Sequence, residues 1–274
     1  MSDNTSVAGR SLGYTLAVDF GIQFVFYVYS AYYKTEKLYD GSGSLTYLAC
    51  IFVALLVRPD ASVGNGISSI APRQALAATG VLIWCVRLGS FLFLRVQKHA
   101  DHRFDELKLN PIRFAVPWFI QVVWIFLTAF PVYIVLANVA SLQAALGWSD
   151  IIGIIVWILG FTFEAVADAQ KNKFKTANPS KFMQTGLFKY SQYPNYFGEV
   201  TLWIGMWILC AGGFTDNWQF VSIISPIFVF CLIYFVSGVR LLEASSQKRY
   251  GQDPEFIAYK ARTSKFIPWF PKKA

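Results

Sequence analysis

Seven ionisable side chains fall inside or at the ends of long apolar runs: Asp19, Arg87, Glu164, Asp168, Glu199, Arg240 and Glu243. A charge at the centre of a bilayer costs about 2.5–3.5 kcal/mol unless it is paired or faces a wet cavity, so each is a candidate for function. Five of the seven lie in the C-terminal half. Glu164 and Asp168 are four residues apart and share a helix face, which Lys171 and Lys175 continue. Two carboxylates on one face need several donors. That pattern predicts a polar, ligand-binding cavity, the alternative being an ion-pair network between helices, such as Glu164 or Glu199 with Arg240.

The stretch from Lys181 to Glu199 adds an anion site. Gly186 permits a turn, and Pro194 favours a helix beginning at Asn195 or shortly after. Free backbone N–H groups at such a start, flanked by lysines, suit a phosphate. Tyr190, Tyr193 and Tyr196 are placed to stack on a planar ring or to line a membrane interface.

Other signals carry less chemistry. His99 and His102 have a metal-like spacing but lie in a charged loop with no third ligand, so a solvated loop is expected and no metal site. Cys50, Cys85, Cys210 and Cys231 each sit in an apolar run without C-x-x-C spacing, and are expected to be small buried hydrophobes. No G-x-G-x-x-G fingerprint is present, so no Rossmann domain is expected. The polar start, Met1 to Arg10, does not read as a signal peptide. Lys272-Lys273-Ala274 resembles a dilysine retrieval signal displaced by one position.

The elements that must position these residues follow from composition. Of 274 residues, 55% are hydrophobic, 18% aromatic and only 15% charged, against about 25% charged in an ordinary soluble domain. This excludes a disordered chain, a coiled coil and a nucleic-acid-binding domain, and predicts an all-α polytopic membrane protein. Seven apolar runs are candidate spans: Leu12–Tyr33, Leu45–Val57, Gln74–Leu94, Phe114–Ala137, Ile151–Ala169, Tyr196–Phe214 and Phe220–Leu242. The second is short, which predicts a re-entrant or tilted helix or an earlier start at Ser42, and Pro117 and Pro131 predict an entry bend and a kink in the fourth. Gly41-Ser42-Gly43, Gly64-Asn65-Gly66 and Gly212-Gly213 read as turns. Twenty of the 24 Lys and Arg fall between or after spans on one side, three (Arg10, Arg58, Arg73) on the other, and Arg87 within a span. The positive-inside rule then places the N-terminus outside and the C-terminus in the cytosol. The net charge of +8 is thereby mostly topology.

The stretches Phe163-Glu-Ala-Val-Ala-Asp168-Ala-Gln-Lys171, Gly186-Leu-Phe-Lys-Tyr190-Ser191 and Pro194-Asn-Tyr-Phe-Gly-Glu199 with Trp203 form a combined pattern. It resembles the steroid 5-alpha-reductase C-terminal domain superfamily, and most closely its poorly characterised membrane branch. Thr35-Glu-Lys-Leu-Tyr-Asp40, Trp84-Cys-Val-Arg87 and Asp101-His-Arg103-Phe-Asp105 extend the likeness through the N-terminal half. The resemblance implies a seven-helix reductase of the endoplasmic reticulum membrane that takes NADPH from the cytosolic side. It implies a substrate half over 1–137 (helices 1–4) and a cofactor half over 138–274 (helices 5–7 and the tail). Asp168, Asn195 and Glu199 match cofactor-contacting positions, Lys175 a basic position that meets phosphate, and Arg240 a basic residue at the seventh helix. Glu164 stands where those enzymes have Asn. The implied cofactor set is Glu164, Asp168, Lys171, Lys175, Tyr190, Asn195, Tyr196, Glu199, Trp203, Arg240 and Glu243. Gln192-Tyr193 replaces the branch's Arg-His pair, Glu243-Ala244 replaces a His pair, and Trp84 is the rough counterpart of the substrate-holding Tyr of steroid reductases.

The implied reaction is hydride transfer to a carbon–carbon double bond in a hydrophobic sterol-, steroid- or fatty-acyl-like substrate, with Arg87, Tyr39 and Glu36 as candidates at the substrate end. Two other readings stay open. A lipid or prenyl-cysteine methyltransferase shares part of the Pro194–Tyr196 segment and a glutamate such as Glu243. A non-catalytic seven-helix membrane protein is the second.

Overall fold

The computed structural model describes residues 2–57, 70–98 and 104–272. Over these residues the chain is helical: α1 (Ser2–Tyr33), α2 (Tyr39–Leu56), α3 (Pro72–Lys98), α4 (Pro111–Thr128), α5 (Phe130–Ala137), α6 (Trp148–Ala177), α7 (Pro194–Ala211), α8 (Ile224–Cys231), α9 (Val239–Tyr250) and α10 (Pro254–Arg262). A π-helical turn, Leu232–Ser237, joins α8 to α9. Six stretches are long and apolar enough to cross a membrane: Ala8–Tyr33, Tyr39–Leu56, Pro72–Leu94, Pro111–Thr128, Trp148–Ala177 and Asn217–Tyr250. Their outer faces carry exposed Phe20, Phe24, Phe52, Phe119 and Ile155. This is the architecture of an integral membrane protein. The run Tyr196–Phe214 is helical as α7 but is not one of the six.

The chain forms two compact units. The first comprises residues up to Asp150 together with Trp207–Ser225, and the second comprises Ile151–Met206 and Pro226–Ala274. In the first, α1 packs on α2, α4 and α5. The buried face of α1 is largely polar, with Ser11, Thr15, Asp19 and Gln23 at four-residue spacing, while Leu16, Phe20, Phe24 and Val28 face outward and Phe26 and Tyr27 pack on Phe104, Phe114 and Trp118. α1 ends in a Schellman turn, with Lys34 at φ 50° and the Thr35 N–H bonded to the Ser30 carbonyl. At one end Gln74 donates to the carbonyls of Val135 and Asn138, and Asn138 and Gln219 bond reciprocally at 2.8–2.9 Å.

In the second unit α6 and α7 touch backbone to backbone. A Cβ at Gly160 would collide with the Leu202 amide and the Gly198 carbonyl, and one at Gly205 with Trp157 and Gly153. Glycines seven residues apart on each helix therefore set how closely the two approach.

Several expectations from sequence are corrected. α2 begins at Tyr39 rather than Leu45, so Gly41-Ser42-Gly43 is helix rather than turn. A side chain at Gly43 would meet Gln121, so that glycine serves close packing. α4 runs through Pro117 without a break, whereas the helix does break before Pro131, which opens α5. Cys50, Cys85 and Cys210 are buried, but Cys231 is exposed. Arg73, counted as an orienting charge, is 2% exposed and grips Asp150 through Nε at 2.6 Å and Nη2 at 2.8 Å. Gly64-Asn65-Gly66, Arg58, His99, Asp101, His102, Arg103, Lys273 and Ala274 lie outside the described residues.

Candidate functional site

The second unit carries the richest chemistry. Glu164 and Asp168 lie one turn apart on α6, and both are buried. Asn195, at the start of α7, donates from its amide to Asp168 Oδ1 at 3.1 Å. Pro194 supplies the first helical residue of α7, where a missing N–H costs nothing. Gly198 leaves room for the Glu164 backbone beside it. Trp203 is fully buried one turn further on, and Glu199 is half-buried.

One and two turns along α6 from Asp168, Lys171 and Lys175 enter the wall of a cleft with an open volume of about 850 Å³. Arg249 and Lys260 add two cations, and Glu243 is the one carboxylate in its wall. Lys175 donates to the Lys181 carbonyl at 2.6 Å and to the Tyr250 hydroxyl at 3.1 Å. Glu243 accepts from Lys260 at 3.1 Å and from Lys265 at 2.8 Å. The bond to Glu243 raises the Lys265 pKa above its usual value. Burial, and then the charge of Glu243, raises that of Tyr193, another wall residue.

A strap over residues 186–193 closes one side. Gly186 takes φ 61°, which L side chains rarely adopt, and a Cβ there would strike Gln170. Gln170 instead accepts the Leu187 N–H at 2.9 Å. The C-terminal segment stitches the strap down. Gln192 Nε2 donates to the Thr263 carbonyl at 2.9 Å, Ser191 Oγ to Phe266 at 2.8 Å, the Trp269 N–H to Tyr190 at 3.0 Å, and Tyr259 OH to Phe188 at 2.8 Å.

The structure thus gathers Lys171, Lys175 and Glu243 in the cleft wall and joins Asp168 to Asn195 on the turn beside it. Tyr196 stacks on Tyr193 at 6.2 Å and abuts Gly238, Tyr190 meets Phe270 edge-on, and Arg240 is exposed; none of the three is in the wall. Tyr193, a candidate from sequence to stack on a ring, is in the wall, whereas sequence reasoning missed Gln192, Arg249, Tyr250 and Lys260. The signal of three of these was present but read otherwise: Arg249 and Lys260 mainly as topology, Gln192 as the loss of an Arg.

The first unit has a different cleft, of about 400 Å³, walled by Tyr39, Tyr47, Trp84, Gly89, Gln121 and Trp124 among others. Tyr47 meets both tryptophans edge-on at 5.2–5.3 Å. The Tyr39 hydroxyl donates to the Pro117 carbonyl at 2.9 Å, and Gln121 donates to the Tyr39 carbonyl at 3.0 Å. Of the three substrate-end candidates, Tyr39 lines this cleft. Glu36 is instead bonded to Lys108 at 2.9 Å, and Arg87 is half-buried on α3 outside the wall. Glu36, then Asp105, raises the Lys108 pKa.

Comparison with known proteins bears on this arrangement. A family model described as "Protein of unknown function (DUF1295)" matches residues 26–263. The chain belongs to the DUF1295 family. The match takes in both clefts of this DUF1295 protein, the strap, and the stitching segment as far as Thr263. An uncharacterised protein of Schizosaccharomyces pombe is 27% identical over 170 residues, covering 54% of this chain and 46% of the relative. This DUF1295 chain therefore matches about half the length of that relative. No solved structure matches.

Proposed function

We propose that this DUF1295 protein is a membrane-embedded, NADPH-dependent reductase of a carbon–carbon double bond in a hydrophobic substrate. The observation that carries the reading is the cleft of the second unit, in which Lys171, Lys175, Arg249 and Lys260 outnumber Glu243 four to one. Such a wall fits a phosphate-bearing cofactor. The four cations would hold phosphate oxygens, Tyr193 and Tyr250 offer faces to a planar ring, and the Asp168–Asn195 pair offers an acceptor and a carbonyl oxygen to an amide. When bound, NADPH supplies hydride. The protein's own groups bind, orient and exclude water, with the strap over 186–193 as the shield.

The aromatic cleft of the first unit suits the flat, apolar part of a substrate that enters from the bilayer, with Gln121 as a polar group in its wall. In this reading α7 is the seventh span, the N-terminus is outside, and the cofactor cleft faces the cytosol of the endoplasmic reticulum membrane. The basic residues of 171–189 and of the tail beyond 240 support that orientation.

Turnover of a lipid extract by the purified protein tests the proposal. NADPH oxidation with a product heavier by two hydrogens, abolished in Asp168→Ala, is expected. S-adenosylmethionine consumption with a product heavier by a methylene group would overturn it in favour of methyl transfer.

A further inference from the structure

The polar face of α1 carries a group that the proposed chemistry does not use. Asp19 is wholly buried, and both of its carboxylate oxygens lack a hydrogen-bond partner. One turn on, Gln23 commits its amide nitrogen to Thr46 Oγ1 at 2.8 Å, which leaves its carbonyl oxygen buried without a donor. Ser11 Oγ is also buried without a partner, and the Tyr133 hydroxyl has the Cys50 thiol beside it. The titratable groups facing Asp19 are Cys50 of α2 and Tyr133 of α5, and Tyr133 in turn lies within electrostatic reach of Tyr47. Cys50 Sγ is directed at the Thr15 carbonyl, 3.6 Å away. Among the described residues no Lys, Arg or His pairs with Asp19.

An ionised carboxylate in such a place is strongly destabilising unless something positive joins it. The surroundings specify what can. There is one carboxylate, so one positive charge suffices. The Gln23 and Tyr133 oxygens are hard donors that suit H⁺ or Na⁺, and the lone Cys50 thiol, directed at the Thr15 carbonyl, is too little soft ligation for a transition metal. Among the described residues no group of three His, Cys, Asp or Glu is gathered for a metal. We propose that Asp19, Gln23 and Tyr133 form a buried monovalent-cation site in the first unit, occupied by a proton or a sodium ion. Its neighbour Tyr47 is part of the wall of the aromatic cleft, so cation occupancy and the shape of that cleft are joined through one side chain.

The test uses the full chain in nanodiscs of zwitterionic lipid and follows thermal unfolding. NaCl replaces choline chloride at constant ionic strength, and pH is varied separately. A sodium site predicts that the wild-type midpoint rises by about 3–5 °C for each tenfold increase of Na⁺ above its dissociation constant, while Asp19→Asn stays flat. A proton site predicts no sodium effect and a rise on acidification that Asp19→Asn lacks. The proposal is overturned if wild type and Asp19→Asn respond alike to both, or if wild type responds to neither. Should Asp19→Asn fail to fold, Gln23→Leu keeps the carboxylate. The Na⁺ concentration or pH at which stabilisation sets in is expected to shift by about tenfold or about one pH unit, and no shift overturns the proposal. None of these readouts depends on turnover, so their failure and that of the reductase reading are separate results.

Discussion

The cleft of the first unit is walled mainly by Tyr39, Tyr47, Trp84 and Trp124, with Asp40, Ser44 and Gln121 as its polar members, whereas that of the second has four cations around a single carboxylate. The packing differs in the same sense. α1 turns a polar face inward against α2, α4 and α5, and the side-chain bonds Arg73–Asp150, Gln74–Asn138 and Asn138–Gln219 tie other parts of the first unit together. α6 and α7 meet through glycines, so backbone contact holds the second. An oily composition thus carries two clefts of different lining, one mainly aromatic and one mainly cationic. The location of lysine and arginine distinguishes them far more than overall hydrophobicity does.

The comparison breaks hardest if the buried ion pair of the first unit is dispensable. Arg73→Leu strands Asp150 and is expected to cost about 3–5 kcal/mol, read as a loss of thermal stability. Next is the glycine contact of the second unit. Gly198→Val puts a branched side chain against the Glu164 backbone, with an expected cost of about 1–3 kcal/mol or more and a weakened NADPH response. If it is neutral, α6 and α7 are not held by that contact. The cationic cleft is sharpened by Lys175→Ala and Arg249→Ala. Each removes one candidate charge-assisted bond to phosphate, worth about 1.5–3 kcal/mol or about 10–100-fold in NADPH affinity, while Tyr47→Phe in the other cleft leaves that affinity unchanged.

Smaller effects test the strap. Gln192→Ala removes donors to the Thr263 and Lys260 carbonyls, with an expected loss of about 1 kcal/mol and faster proteolysis near residue 264. The smallest effect is with pH. Lys265 has a folded-state pKa raised above 10.5 by Glu243. Its contribution is therefore fully present below pH 10.5 and lost as pH rises through the folded value. Proteolysis of the tail should accelerate in that alkaline range, and Lys265→Met should remove the pH dependence.

Much of the fold was legible because apolar runs announce themselves. Leu12–Tyr33 and Gln74–Leu94 lie inside α1 and α3. What was not legible was the use of small and polar residues inside helices. Gly41 and Gly43 look like turn residues locally, yet in α2 they sit beside Phe93 and Gln121, because close packing inside a helix bundle also selects glycine. Arg73 looked like a surface charge because its partner Asp150 is 77 residues away in sequence. At the site, the i, i+4 spacing of Glu164 and Asp168 and the helix start at Pro194 were readable locally. The contributions of Gln192, Arg249 and Lys260 were not, because they depend on how the tail folds back over the strap.

The central claim is that the cationic cleft of the second unit binds NADPH. Calorimetric titration of the purified protein in nanodiscs tests it most directly. The account predicts saturable binding of NADPH, weakened at least about tenfold in Lys175→Ala and in Arg249→Ala and unchanged in Tyr47→Phe. Absent binding, or equal binding by all four proteins, would contradict it.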